Sequence, residues 1–405
     1  MSRIEEMIRE LCPEGIEFKR IGEVAECYAG ATPKTTVREY WDNGTIPWMS
    51  SGEVNYGEIF ATEKKITQLG YDKTSTKLVP PNTVVIALAG QGKTRGTVAI
   101  TRIELCTNQS LCSIVTNDSL NSDFLYHFLR SRYQDLRQIS SGDGTRGGLN
   151  LKMIANYVVP VPPLAIQNEI VNILDKFTEL EAELEAELEA RRKQYEYYRN
   201  KLLNFSEFAP PLHSRKIEVK WLTINKIATL KAGKSIAASE IEQFVTISQK
   251  YPCFGGNGIR GYVACYNRDG EYPVIGRQGA LCGNVCFAKS KFYATEHAVV
   301  VECHEGIIPR YMYFVLVNAN LNQYKTEGAQ PGLSVEKLNR IILPIPPMKE
   351  QQRIVAILDK FETLVNDISE GLPAEIAARR QQYEYYRDKL LTFKRKEDAK
   401  IQPCC

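Results

Sequence analysis

The sequence predicts a mixed α/β chain written twice, as a domain and a long helix followed by a second domain and a second long helix. Three observations predict it. Residues 161–205 (VPPLAIQNEIVNILDKFTELEAELEAELEARRKQYEYYRNKLLNF) and 345–393 (IPPMKEQQRIVAILDKFETLVNDISEGLPAEIAARRQQYEYYRDKLLTF) share the cores IVxILDKF and ARRxQYEYYRxKLLxF. Each copy opens on a double proline and continues with apolar residues at helical steps of three and four. The segments between them, 13–160 and 207–344, have a different character, rich in Gly, Asn and Thr with β-type runs such as TVVIAL at 83–88 and AVVVE at 298–302.

The first shared core is displaced by 184 residues and the second by 188, so the later copy carries four extra residues between them. A period of that size means two large units, since solenoid repeats run about 20–50 residues. In the first copy Ile166, Ile170, Leu174, Phe177, Leu180, Leu184, Leu188, Tyr195, Tyr198, Leu202 and Phe205 form one apolar stripe. The stripe predicts a helix of about 40 residues, ~60 Å long at 1.5 Å per residue. Its expected partner is the second copy, the two packing as an antiparallel coiled coil. In the second copy Gly371 and Pro373 interrupt the pattern, which predicts a break where the four extra residues sit. The domains share only traces: FKRIGEVA at 18–25 resembles WLTINKIA at 221–228, and GGLNL at 147–151 mirrors PGLSV at 331–335. Helices that stay alike while domains diverge imply one task done twice and another done differently each time. The expected organisation is a domain over 1–160 with a short N-terminal helix, a helix over 161–206, a domain over 207–344, a helix over 345–396 and a tail over 397–405.

Composition narrows the class. The chain has 405 residues, of which 43% are hydrophobic and 24% charged, and its formal net charge is +3. That excludes a histone-like polycation and leaves local basic surfaces possible. No apolar run approaches the ~18 residues of a membrane span, and residues 1–9 (MSRIEEMIR) lack the apolar core of a signal peptide. Eleven irregularly spaced cysteines fit reduced thiols in a cytoplasm better than a disulfide framework.

The motifs PPLxxQxxIVxILDKF, PPMKEQQRIVAILDKF and QYEYYRDKLL, on a domain–helix–domain–helix plan, resemble the specificity subunit of a type I restriction–modification system. GATP at 30–33 followed by YWDNGTIPW at 40–48, and YPCFGGNGIRGY at 251–262, are similar to segments of that family's domains. The resemblance covers nearly all of residues 13–393, and the ELEA run in the first helix is its one evident departure. It implies two target recognition domains that each read half of a split double-stranded DNA target. It also implies helices that set their spacing and dock two methyltransferase subunits. Restriction/translocase subunits would complete the complex, with S-adenosylmethionine, ATP and Mg2+ bound by the partners and no cofactor in this chain.

Other readings compete at particular motifs. ALAGQGKT at 87–94 fits a loose phosphate-loop pattern, but RGTVAI after it reads as a turn into a strand where such a loop needs a helix. FGGNG at 254–258 could pass for the glycine loop of a methyltransferase, yet no Asn/Asp-Pro-Pro-aromatic tetrapeptide accompanies it. Cys282, Cys286, His297, Cys303 and His304 have the ligand types for zinc without its paired knuckles, so buried thiols are the better reading. A self-sufficient DNA-modifying enzyme or a P-loop ATPase is therefore the rival function, and an adaptor that never touches DNA is a third.

Bulk charge does not locate a DNA face, since residues 13–160 hold 16 basic and 15 acidic side chains against 16 and 10 over 214–344. Placement could. Candidate DNA contacts in the first domain are Lys34 and Thr35 after the GATP turn, Gln91, Lys93, Thr94 and Arg95 at a glycine-rich tip, and Arg146. In the second they are Lys231, Lys234, Asn257, Arg260, Arg277, Gln278 and Gln330. Arg with guanine and Asn or Gln with adenine are the expected bidentate pairs, and a solvated loop is the plain alternative for each. Tyr195, Tyr198, Tyr383 and Tyr386 near the helix ends, twice in nearly one sequence, are read as protein-partner or core contacts.

Overall fold

The computed structural model describes residues 3–90, 94–140, 148–205, 218–279, 281–326, 332–366 and 371–396. The chain divides into two compact units, one of Met1–Glu183 with Ala377–Cys405, the other of Leu184–Ile376. Each unit holds one domain, the first part of the helix that follows it, and the last part of the other long helix.

In the first unit, helix α1 (Arg3–Leu11) precedes strand β1 (Phe18–Arg20), helix α2 (Ile21–Val24) and strand β2 (Ala25–Ala29). Strands β3 (Ile46–Met49), β4 (Glu58–Ile59) and β5 (Lys64–Ile66), helix α3 (Gln68–Asp72), and strands β6 (Val84–Ala87), β7 (Val98–Thr101), β8 (Cys106–Thr107) and β9 (Leu111–Thr116) follow. Helices α4 (Ser122–Ser131), α5 (Tyr133–Gln138) and α6 (Leu151–Ala155), then strand β10 (Val158–Pro160), close the domain before helix α7 (Leu164–Leu203). The main sheet runs β2-β9-β6-β7-β4 and a smaller one β5-β3-β8. Val84, Val85, Ile86 and Ala87 are buried on both faces, as a central strand of only apolar residues must be.

The second unit repeats the plan. Strand β11 (Lys220–Thr223), helix α8 (Ile224–Ile227) and strand β12 (Ala228–Ala232) are followed by β13 (Tyr251–Gly255), β14 (Gly258–Val263), β15 (Arg268–Asp269), β16 (Tyr272–Gly276), β17 (Val285–Ala288), β18 (Lys291–Ala294) and β19 (Ala298–Cys303). Helices α9 (Pro309–Asn318) and α10 (Val335–Asn339), strand β20 (Ile342–Ile345), and helices α11 (Met348–Asn366) and α12 (Leu372–Leu390) complete it, α12 passing into the first unit. The sheet order β12-β19-β16-β17 matches β2-β9-β6-β7, and β14-β13-β18 matches β5-β3-β8, down to the parallel pairing of β3 with β8 and of β13 with β18.

The faint sequence echoes have structural causes. FKRIGEVA and WLTINKIA are the strand and short helix that open each domain. In GGLNL and PGLSV, Asn150 and Ser334 cap α6 and α10, accepting from Met153 N at 2.9 Å and Lys337 N at 3.1 Å. Each domain also closes on itself: Phe18 pairs with Pro160 between β1 and β10, and Lys220 with Ile345 between β11 and β20.

The long helices begin on a lock. Gln167 is fully buried; its Oε1 accepts from Asn121 N at 2.7 Å and its Nε2 donates to the carbonyls of Ser119 (3.0 Å) and Pro162 (2.6 Å). Gln351 repeats the device, accepting from Ile308 N and donating to the Gly306 and Pro346 carbonyls, each at 3.0 Å. This is what the glutamine of PPxxxQ does: an amide with both polar ends satisfied can fix a helix start to a buried loop. Two turns further on, the aspartate of ILDKF meets the domain's helix, Asp175 with His127 Nε2 at 2.8 Å and Asp359 with Arg310 Nε at 2.7 Å.

α7 is one helix of 40 residues, as its stripe predicts. In the first unit it packs antiparallel to α12, since Phe177 meets Tyr386 and Tyr383 while Glu181, further along, pairs with the earlier Arg380. The second copy consists of two helices, α11 and α12, with residues 367–370 of the expected break outside the described residues.

Candidate nucleic-acid interface and helix faces

The two domains build one frame from different residues. Gly30 and Gly233 directly follow β2 and β12, and a Cβ on either would come within 2.1 Å of a carbonyl oxygen, that of Thr107 or of Ala294. Only glycine permits that approach. The next residues donate across it, Ala31 N to Thr107 O at 2.9 Å and Lys234 N to Ala294 O at 3.0 Å. Leu88 N donates to Ser110 O at 2.8 Å where Arg277 N donates to His297 O at 2.9 Å. Leu149 N donates to Leu88 O, and Leu333 N to Arg277 O. The turn over 107–111 therefore corresponds to that over 294–298, and the strand end at 87–89 to that at 276–278.

In the second unit this frame borders a cleft of about 720 Å3. Asn257, Arg260, Gln278 and His297 line it among Gly255, Gly256, Gly258, Gly279 and Gly332. Three sequence candidates thus come together, and Arg277 adjoins them, half-buried. His297 is the residue that sequence reasoning weighed only as a metal ligand. Its Nε2 lies 3.2 Å from Glu296 Oε1, while its Nδ1, Glu296 Oε2 and Arg277 Nε are buried without hydrogen-bond partners among the described residues. Lys234 is exposed at the rim of the frame. Lys231 is held by Glu302 at 2.7 Å on the neighbouring strand, with Arg268 also near that carboxylate at 3.9 Å.

In the first unit Lys34 and Thr35 are exposed after β2, and the Lys34 carbonyl accepts from Trp41 Nε1 at 3.2 Å. Thr94 and Arg95, both half-buried, lie in the turn that returns the chain from β6 to β7. β6 and β7 pair antiparallel with Val85 opposite Ala99, so ALAGQGKT leads into a hairpin strand and no phosphate-binding helix follows it. Gln91, Lys93, Arg146 and Gln330 lie outside the described residues.

The cysteine and histidine set disperses. Cys282 is buried in the second unit's core, and His304 bonds Thr229 Oγ1 at 3.0 Å and the Lys226 carbonyl at 3.2 Å. Burial pushes the Cys303 thiol up to about 12. Among the described residues no group of three or more His, Cys, Asp or Glu could hold a metal ion.

The tyrosines of QYEYYR take two roles. Tyr195 lies in the second unit's core and Tyr383 against the first unit's, with Arg199 and Arg387 over their rings at 5.6 and 5.8 Å. Tyr198 stacks on Phe361, and Tyr386 on Phe177. All four named tyrosines thus make contacts within the chain. Their neighbours Tyr197 and Tyr385, which the periodicity passed over, are 57% and 64% exposed. A tyrosine off the apolar stripe and kept in both copies was the signal available.

Two mixed domains, each holding the head of its own long helix and the tail of the other, define a tandem-domain protein with one repeated helical pattern. The chain belongs to the type I restriction–modification DNA specificity family, whose domain matches residues 13–190 and 216–378. It is 39% identical over 372 residues to the EcoprrI type I restriction enzyme specificity subunit of Escherichia coli, covering 88% of this chain and 90% of that one. It is 29% identical to the EcoR124I/EcoR124II specificity subunit of Escherichia coli, over 94% of this chain and 95% of the relative. The fold matches a type I restriction–modification S subunit from M. genitalium with TM-score 0.58 at 18% identity, over 93% and 96% of the two chains. It also matches a chain from a structural study of complex assembly and conformational transition of the type I system, with TM-score 0.63 at 15% identity over 93% and 97%. No described helix is long and apolar enough to cross a membrane.

Proposed function

We propose that this chain is the non-catalytic DNA-reading subunit of a type I restriction–modification complex. Each domain reads one half of a bipartite double-stranded target. The long helices set the spacing between halves and dock two methyltransferase subunits, with Tyr197 and Tyr385 on the docking faces. S-adenosylmethionine belongs to those subunits, and ATP and Mg2+ to restriction/translocase subunits. The observation that carries this reading is the double occurrence of one helical arrangement beside two domains that share a backbone frame and differ in its side chains. Two identical partners need two identical surfaces, whereas two different half-sites need two different ones.

The test is reconstitution with the methyltransferase subunits, followed by mapping of methylated adenines over a genome. A single gapped motif is the expected result. Methylation or ATP hydrolysis by the purified chain alone would overturn the reading in favour of a self-sufficient enzyme.

A further inference from the structure

Resting on that reading, we infer that Arg277 and Glu296 read one G·C pair in the half-site of the second domain, with Gln278 and His297 flanking them. The shared frame isolates these positions. Where the first domain has Leu88, Ala89, Gln109 and Ser110, the second has Arg277, Gln278, Glu296 and His297, on backbone held by corresponding hydrogen bonds. The two domains thus differ in chemistry at one strand end and one facing turn.

Three features direct these side chains at a partner. Buried polar atoms are nearly always paired in a folded chain, yet among the described residues Arg277 Nε, Glu296 Oε2 and His297 Nδ1 have no hydrogen-bond partner. Gln278 and His297 line the cleft, and Arg277 and Glu296 are the residues immediately before them in the chain. Five of the eleven lining residues are glycines, so part of the wall presents backbone that a duplex can approach closely. The chemistry then selects the pair. A guanidinium donates to guanine N7 and O6, and a carboxylate accepts from cytosine N4, so a G·C pair offers both partners on one major-groove edge. An A·T pair offers a carboxylate the adenine N6 donor but gives the guanidinium only one acceptor on that base. Asn257 and Arg260, exposed at the mouth of the cleft, are placed for phosphate.

The experiment uses the chain assembled with its methyltransferase subunits and a plasmid library with randomised bipartite sites, read by methylation sequencing. Arg277→Lys keeps the charge and removes the bidentate fork. It should relax one G·C position of the second half-site by about 5- to 140-fold and leave the first half-site unchanged. Glu296→Gln should relax the same position. Gln278→Ala, an exposed truncation that leaves the fold intact, should change selectivity only at an adjacent position. An unchanged motif in Arg277→Lys and Glu296→Gln, or an even loss at all sites, overturns the assignment. If Arg277→Lys abolishes methylation, the motif of Glu296→Gln decides alone. A wild-type complex that yields no gapped motif sinks the proposed function itself, a result distinct from failure of this inference.

Discussion

Phe177 and Tyr386 stack with ring centroids 5.6 Å apart and 25° between their planes, and Phe361 and Tyr198 stack with the same separation and angle. Each pair joins the head motif of one copy to the tail motif of the other. Aromatic pairs contribute about 0.5–1.5 kcal/mol beyond the area they bury. Tyr386→Ala should therefore lower stability by about 2 kcal/mol and loosen the first unit, and Tyr198→Ala should do the same to the second. Hydrogen exchange resolved along the full chain would check it, each substitution lowering protection mainly in its own unit.

Tyr383 behaves otherwise. Its hydroxyl is buried with no hydrogen-bond partner among the described residues, and burial raises its pKa. Tyr383→Phe keeps the ring and removes the unsatisfied group, so stability should hold or rise by up to about 1 kcal/mol. Chemical denaturation of the two chains makes the comparison.

Gln167 and Gln351 should be the costliest polar residues to truncate. Replacing either with Ala leaves a buried amide N–H and two carbonyls unpaired, for a loss of about 3 kcal/mol. Denaturant midpoints would register it in both variants; a loss below about 1 kcal/mol would mean water replaces the amide.

The thiols should separate by reactivity. Burial pushes Cys106 and Cys253 up to about 11, so at pH 8 only about one in a thousand of each is the reactive thiolate. Cys265 is exposed. Alkylation of the folded chain followed by peptide mapping should label Cys265 first among the described cysteines, and denaturation should level the rates.

The ELEA run gives the spacing prediction. Each four-residue repeat is ~6 Å of helix, and base pairs rise 3.4 Å along a strand. Deleting Glu187–Ala190 should shorten the gap between half-sites by about one or two base pairs without changing either half, the ~40° change of rotation that four residues make absorbing part of the length. A mapped motif with the original gap would remove the ruler.

Legibility in the sequence followed the physics of each signal. Repetition and a 3.6-residue stripe are local, so the duplicated plan and the length of α7 could be read directly. What covers a stripe is not local: QYEYYR showed an apolar face, and only the fold shows that the head motif of the other copy lies on it. Gln167 and Gln351 stood in the quoted motifs without a role, because a buried amide is recognisable only once its three backbone partners converge. Glu296 went unread and His297 was weighed only as a metal ligand for the same reason, as the turn that aligns them with Arg277 joins residues about 20 positions apart. Asn257, Arg260 and Gln278 were nameable because glycine-rich tips with amide and guanidinium side chains carry their chemistry in the local sequence.

The closed ribbons β1–β10 and β11–β20, with the head-to-tail exchange beneath them, bear on how such a chain can change over generations. Each domain leaves the helical base where it enters, at Phe18 beside Pro160 and at Lys220 beside Ile345. Near-identical stretches of sequence follow both domains, and each tail meets the head of the other copy with one geometry. A genetic crossover within those stretches exchanges a whole domain and still returns matched helix ends. The constancy of the helices is thus what lets the domains be shuffled as cassettes without breaking the pairing of helix ends.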